Sequence, residues 1–231
     1  MRTIRDYSDY RQMYTAEAPQ LLTIQLKNAM PETILDIGCG DGALLFALNN
    51  LGLLDGRKVT AIDIDPERLE RLKKISATIL PIVGDACNMN MIEESSFDFV
   101  ISTQVIEHVS DDRMMLNEIS RVMKPRAVLF LSTVLKSPNA WYRYRNEGKW
   151  VLDPTHKREY TSERQLLTEM VVCGLEIVES SKTIVRRSIA EALLKRIGRV
   201  DITGSAFLRM LTKGKIPVVG YYEWEIVATK K

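Results

Sequence analysis

Gly38, Gly40 and Gly42 stand at alternate positions just after the apolar run Ile34, Leu35 and Ile37, with Asp36 inside that run and Asp41 between two of the glycines. Glycines at such a bend let the backbone approach a ligand where a Cβ would collide. Gly38, Gly40 and Ala43 satisfy the dinucleotide pattern G-x-G-x-x-G/A, and Asp63 lies about 20 residues beyond the loop, where a ribose-binding acid belongs. The chain has two histidines, His108 and His156, whose residue type can exchange a proton near neutral pH. Glu107 adjoins the first in VIEHV, and Tyr160 follows the second in LDPTHKREYT. Cys39, Cys87 and Cys173 share no paired spacing, so neither a disulfide framework nor a zinc site is expected. Two separated histidines supply no ligand cluster, and the expectation is no metal, with only an oxygen-ligated magnesium site left open.

The sign of the charge separates two uses of the glycine bend. A pyrophosphate brought near Asp36 and Asp41 would face two carboxylates, which offsets the attraction of a helix N-terminus for anions. A cationic ligand would be welcomed. S-adenosylmethionine carries an ammonium and a sulfonium beside an adenosine, so it suits these carboxylates as a dinucleotide does not. An NAD(P)-dependent oxidoreductase is the alternative within enzymes, and a non-catalytic, RNA-associated module that binds the same nucleoside is the alternative outside them.

Such a bend must sit at the end of a strand, and the surrounding sequence supplies one. Short runs rich in Val and Ile are expected as strands at 33–37, 58–63, 78–83, 97–102, 127–133, 174–180 and 221–229. Helical stretches alternate with the early ones. Asp65 and Pro66 read as N-cap and first-turn proline, and Ser110, Asp111 and Asp112 place acids at a positive helix end. Ser162 with Gln165 reads as a capping box. This alternation calls for an α/β fold: a doubly wound, mostly parallel seven-stranded sheet with helices on both faces.

The whole chain, 231 residues, is expected as one domain, because its 45% hydrophobic and 27% charged residues are those of a globular protein of ordinary size. A net charge of +2 gives no general reason to expect nucleic acid as partner. The start, MRTIRDYSDY, lacks an apolar signal core and no run reaches the roughly 20 residues needed to cross a bilayer, so a cytoplasmic location is expected.

In these residues the chain resembles the class I S-adenosylmethionine-dependent methyltransferases, in particular the group that includes ubiquinone and menaquinone biosynthesis enzymes. The ordered segments are ILDIGCGDG (34–42), AIDIDPERLERLK (61–73), VGDACNMN (83–90), FDFVISTQVIEHV (97–109) and LNEISRVMKPRAVLFLST (116–133). The resemblance covers about half of the chain. It implies that Gly38, Cys39 and Gly40 pass close to the methionyl part of the cofactor, and that Asp36 orients its ammonium. Asp63 would accept from the ribose hydroxyls, Ile64 would pack on the adenine, Asp85 and Ala86 would pair with the adenine edge, and Gln104 would touch the methionyl group. Many relatives read lysine, proline, glycine, glycine before the fifth strand. Here Lys124 and Pro125 are followed by Arg126 and Ala127, so that turn is expected to manage without glycine's positive φ.

His156 and His108 are the candidate catalytic bases, with Tyr160 behind them, and their presence makes oxygen the expected accepting atom of a small-molecule acceptor. The stretch 139–150, NAWYRYRNEGKW, interleaves aromatics with arginines and is expected to work within a lid over 136–160. Residues 1–30 read as a helical cap carrying Tyr7, Tyr10 and Tyr14. A basic helical insertion over 186–217 holds eight basic residues against two acidic, with Ile189, Leu193, Leu194 and Ile197 at helical spacing. It is expected to cover the cleft or a homodimer contact in preference to seating peripherally on an anionic membrane. No Asn/Asp-Pro-Pro-aromatic motif follows the fourth strand, which counts against nucleic acid.

Overall fold

The computed structural model describes residues 14–73, 78–142, 144–146, 148–188, 190, 194 and 205–231. Tyr7 and Tyr10 of the expected cap, and Ile189, Leu193 and Ile197 of the basic insertion, lie outside the described residues. Nine strands are described: β1 (Thr33–Ile37), β2 (Lys58–Asp63), β3 (Ile79–Val83), β4 (Phe97–Thr103), β5 (Met123–Lys136), β6 (Tyr144–Asn146), β7 (Lys149–Val151), β8 (Leu175–Ser188) and β9 (Lys215–Lys230). The described helices are α1 (Gln20–Ala29), α2 (Ala43–Asn50), α3 (Pro66–Leu72), α4 (Asp112–Val122), α5 (Glu163–Val172) and α6 (Ala206–Thr212).

Seven strands form one sheet in the order β3-β2-β1-β4-β5-β9-β8, and β6 and β7 form a separate hairpin. Strands β3 to β5 pair parallel, whereas β9 runs antiparallel to both β5 and β8. Chain order reverses direction across the sheet between β1 and β4, and the carboxyl ends beside such a reversal are where open α/β sheets hold ligands.

The two faces are covered as the period of a strand requires. Ile34, Phe99, Ile101 and Phe130 pack with Leu22, Leu26, Leu45 and Leu48 on one side. Leu35, Ile37, Val100, Leu129 and Leu131 pack with Leu116, Ile119, Leu166 and Met170 on the other. At roughly 25 cal/mol per Å² of apolar surface removed from water, these two layers are the main stabilising term of the fold. Among the described residues no helix is long and apolar enough to cross a membrane.

Helix starts follow the expected caps with one exception. Asp65 accepts from the Glu67 and Arg68 amides, and Asp111 accepts from the Met114 amide. Ser162 occupies its N-cap position without a side-chain cap bond, so the capping box with Gln165 does not form. The β4–β5 register slips between Phe97↔Met123 and Phe99↔Val128. Within the slip Arg126 takes φ +66°, the left-handed turn that relatives give to glycine, so this turn does use positive φ. The last two strands outrun expectation: β8 continues to Ser188 and β9 begins at Lys215, so both ends of the expected basic insertion are paired strand.

Candidate active site

The glycine bend leaves β1 under close restraint. The amides of Gly38 and Cys39 donate to the carbonyl of Ile62 at the end of β2, at 2.7 and 3.1 Å. Gly38 has φ +69°, and a Cβ there would lie 2.3 Å from Val105 Cγ2, so only glycine fits without displacing the loop after β4. Asp63 braces the bend from β2: its Oδ2 accepts from the Gly40 amide at 2.8 Å and its Oδ1 from the Asp65 amide at 3.0 Å. Each oxygen retains a second lone pair for a ligand hydroxyl.

Asp36 differs from its neighbours in having no partner. It is 1% exposed, and among the described residues neither carboxylate oxygen has a hydrogen-bond partner. Burial, reinforced by the nearby Asp63 carboxylate, pushes its pKa up to about 8. Burying an ionised carboxylate without a partner is costly, and holding the proton is how the group responds. A cation beside it would reverse that shift.

Asp41 plays another part than the charge argument from sequence gives it. Its Oδ1 is 3.0 Å from both Arg68 Nε and Arg71 Nη2, and its carbonyl accepts from the Tyr14 hydroxyl at 3.0 Å. The two guanidiniums on α3 offset the Asp41 charge, which leaves Asp63 as the carboxylate of the bend and Asp36 as a carboxyl that ionises when a cation stands beside it. Isolated carboxylates cannot be distinguished from paired ones in sequence. Arg68 and Arg71 nevertheless lie at i and i+3 on one predicted helix face, which is the signal that could have paired them.

The remaining expected cofactor residues ring this point. Cys39 is buried, its thiol pushed well above the ordinary range first by burial and then by Asp36 and Asp63, which makes it inert packing. Ile64, just past β2, exposes 53% of its surface, an apolar face at a ligand-binding edge. Asp85 Oδ1 accepts from the Cys87 amide at 2.8 Å, tightening the turn after β3 beside Ala86. Gln104 takes φ +55° immediately after β4, with its amide on the carbonyl of Ser132 at 2.9 Å. Non-glycine residues adopt that conformation when surrounding contacts impose it.

A second cluster lies just beyond. His108 and His156, far apart in sequence, meet edge to face with ring centroids 4.8 Å apart. With Glu107 they place one potential ligand atom each within 4.8 Å of one another, so the histidines are not separated as the sequence suggested. Glu107 is fully buried; Thr133 Oγ1 donates to its Oε2 at 2.8 Å while Oε1 has no partner, and burial raises its pKa. Burial and the neighbouring His156 push the His108 pKa down to about 4, so its ring stays neutral at physiological pH.

Glu159, not anticipated from the sequence, organises the outer side of the cluster. Its Oε1 accepts from the Leu152 amide at 2.7 Å and lies 3.0 Å from His156 Nδ1, and Lys136 Nζ is 3.1 Å from Oε2. Burial raises its pKa, but the bonds from His156, Leu152 and Lys136 outweigh that and hold it below the ordinary carboxylate range. An ionised carboxylate only accepts, so His156 Nδ1 carries the proton of that bond. The i, i+3 spacing of His156 and Glu159 was the available clue. Tyr160 leaves the list of candidate bases: it is buried, its hydroxyl donates to Asp112 Oδ2 at 2.9 Å, and burial with the Asp112 charge raises its pKa further.

Comparison with known proteins agrees with this geometry. Residues 35–131 match the sequence model of a methyltransferase domain. The chain is 33% identical over 112 residues to the ubiquinone biosynthesis O-methyltransferase of Xanthomonas campestris pv. campestris, a match that covers 47% of this chain and 45% of that protein. The chain thus matches about half the length of the curated relatives. In fold it is similar to a SAM-dependent methyltransferase from Methanosarcina mazei, with TM-score 0.60, 22% identity and coverage of 89% and 96%. It is also similar to the [4+2]-cyclase SpnF, with TM-score 0.62, 18% identity and coverage of 95% and 86%. These two likenesses show the shared fold, and a fold of itself does not select a reaction.

Proposed function

Residues 35–131 belong to the class I S-adenosylmethionine-dependent methyltransferase family, and from that premise we propose that the chain as a whole transfers a methyl group from S-adenosylmethionine to a hydroxyl of a small molecule. The observation that carries the reading is Asp36, a buried carboxylate with both oxygens unpartnered beside a bend where a Cβ would clash. An ammonium supplies the partner it lacks, and a diphosphate would not.

The residues present fit this cofactor. Asp36 would hold its ammonium, the backbone at Gly38, Cys39 and Gly40 would pass along the methionyl part with Gln104, and Asp63 would accept from the ribose hydroxyls. Ile64 would cover the adenine face, with Asp85 and the Ala86 amide at its edge. The bound sulfonium supplies an electrophilic methyl group, and the protein has to align an acceptor oxygen with it and exclude water. The acceptor side would belong to the paired histidines with Glu107 and Glu159, with residues 136–160 serving as the lid. Oxygen as the accepting atom draws further support from the O-methyltransferases among the relatives.

Calorimetry with S-adenosylhomocysteine and NAD tests the first half: micromolar binding of the former alone is expected, and binding of NAD alone would refute it. A pooled-metabolite methyl-transfer screen read by mass spectrometry tests the second. For the acceptor found, His156→Ala should lower turnover at least about 100-fold with cofactor affinity unchanged; equal turnover would remove His156 from the site.

A further inference from the structure

We propose that Glu107, His108 and His156 bind one divalent transition-metal ion of the zinc type, which holds the acceptor hydroxyl next to the cofactor pocket. The metal site itself stands on geometry alone, and only the role of its open position rests on the function proposed above.

Two histidines and one glutamate are a donor set that holds zinc with a fourth position left open for water or substrate. The three candidate ligand atoms already lie within 4.8 Å of one another. Tetrahedral bonds of about 2.0–2.2 Å place ligand atoms roughly 3.3–3.6 Å apart, so small side-chain rotations close the set. Glu107 is held as a ligand should be: Thr133 fixes Oε2 at 2.8 Å, and among the described residues the buried Oε1 has no hydrogen-bond partner. Simple edge-to-face packing of the two rings would account for the histidines but gives that oxygen nothing. A cation does.

The surroundings orient the rings from outside, as carboxylate–histidine–metal arrangements require. His156 Nδ1 is 3.0 Å from Glu159 Oε1, which leaves the opposite nitrogen of that ring to coordinate. His108 Nδ1 is 3.3 Å from Thr155 Oγ1, and that hydroxyl donates to Asp153 Oδ1 at 2.6 Å. Glu159 is anchored in turn by Leu152 and Lys136. The cluster also adjoins the cofactor pocket, because Val105, two residues before Glu107, is the side chain that a Cβ on Gly38 would strike.

A hydroxyl coordinated there ionises far more readily than in water, as zinc-bound water does, and its proton passes to solvent. The oxygen lone pair then forms the O–CH3 bond as the S–CH3 bond breaks, and the sulfonium becomes a neutral thioether.

The test begins with chelator-treated protein titrated with Co2+, read by visible d–d absorption and elemental analysis, followed by Zn2+ competition and S-adenosylhomocysteine calorimetry on the same samples. One equivalent of Co2+, displaced by Zn2+, is expected in the wild type. Glu159→Gln should weaken metal binding roughly 10–100-fold, and Glu107→Gln and His156→Ala should weaken it further still. Absence of a stoichiometric signal in the wild type overturns the proposal, as does full retention in both ligand variants. Should the ligand variants fail to fold, the wild-type titration and Glu159→Gln decide. Metal binding lost with S-adenosylhomocysteine binding kept refutes the metal site alone; the reverse refutes only the cofactor reading.

Discussion

The two halves of the site are built by different means. On the proposed cofactor side, Asp36, Gly38, Gly40 and Asp63 come from adjacent strand ends, and the bonds that pin the bend to β2 start from backbone amides, Gly38 and Cys39 on the Ile62 carbonyl and Gly40 on the Asp63 carboxylate. On the proposed acceptor side, Glu107 and His108 follow β4 while His156 and Glu159 come from the segment after β5; the Lys157 and Arg158 amides donate to the Glu107 carbonyl, but the histidines and Glu159 meet through side chains. Bonds from backbone amides at strand ends hold a fixed shape, which suits the cofactor proposed for it. Side-chain bonds between loops hold a shape that a few substitutions can remake.

This contrast can be broken at measurable points. The largest effect is expected from Gly38→Ala, because the new Cβ meets Val105 and the backbone must keep φ +69°. A stability loss of about 2–4 kcal/mol by thermal unfolding, with S-adenosylhomocysteine binding abolished, is expected; wild-type behaviour would show that the bend is soft. Next comes Asp41→Asn, which takes the buried carboxylate from Arg68 and Arg71 and should cost about 2–3 kcal/mol in denaturant unfolding. Its cofactor affinity should fall less than that of Asp36→Asn, since Asp41 supports the bend without facing the ligand.

Asp36→Asn should weaken S-adenosylhomocysteine about 10–100-fold, equivalent to roughly 1.4–2.7 kcal/mol. It should also stabilise the ligand-free protein. A carboxyl whose folded pKa is raised from 3.8 to about 8 weakens the fold progressively as pH rises between those values. The stability advantage of Asp36→Asn, on the order of 1–3 kcal/mol, should therefore be larger at pH 8 than at pH 5. Binding carries the opposite sign: the carboxyl must lose its proton to pair with the ammonium. Wild-type affinity should climb with pH toward about 8, by at most tenfold per unit, and the variant should be flat. An equal pH response in both proteins would place the titrating group elsewhere.

The smallest effect belongs to neither half. Arg126 sits at φ +66° and is exposed, so Arg126→Gly should raise stability by about 0.5–1 kcal/mol without touching either affinity. A destabilised variant would mean that the arginine side chain contributes contacts that outweigh its backbone strain.

The cofactor half was legible in sequence because its geometry follows from local rules. A strand period buries Ile34 and Leu35 on opposite faces, a glycine bend closes the strand, and an acid ends the next one. What escaped were relations between segments. Asp41 reads as a ligand-facing carboxylate until α3 folds beside it with Arg68 and Arg71. His108 and His156 read as separate until the loop after β5 returns to the end of β4. The extended reach of β8 and β9 also escaped, because polar edge residues such as Ser181, Lys182, Arg186 and Arg187 pair through backbone and carry no run of apolar side chains.

The loop over the second cluster leaves and rejoins the sheet at a single place. Leu135 bridges Tyr160, the Lys136 amide donates to the Tyr160 carbonyl at 2.8 Å, and the Ser137 amide donates to the Gly220 carbonyl at 2.8 Å. With both feet stitched together, closure itself is cheap: doubling the length between them would cost only about 0.6 kcal/mol in closure entropy, and Ala140 and Leu152 hold the span down against Val134, Val218 and Tyr221. A change of length there leaves the ends of β5 and the glycine bend where they are, so the pouch around the second cluster is the part of the molecule that sequence can reshape at least cost.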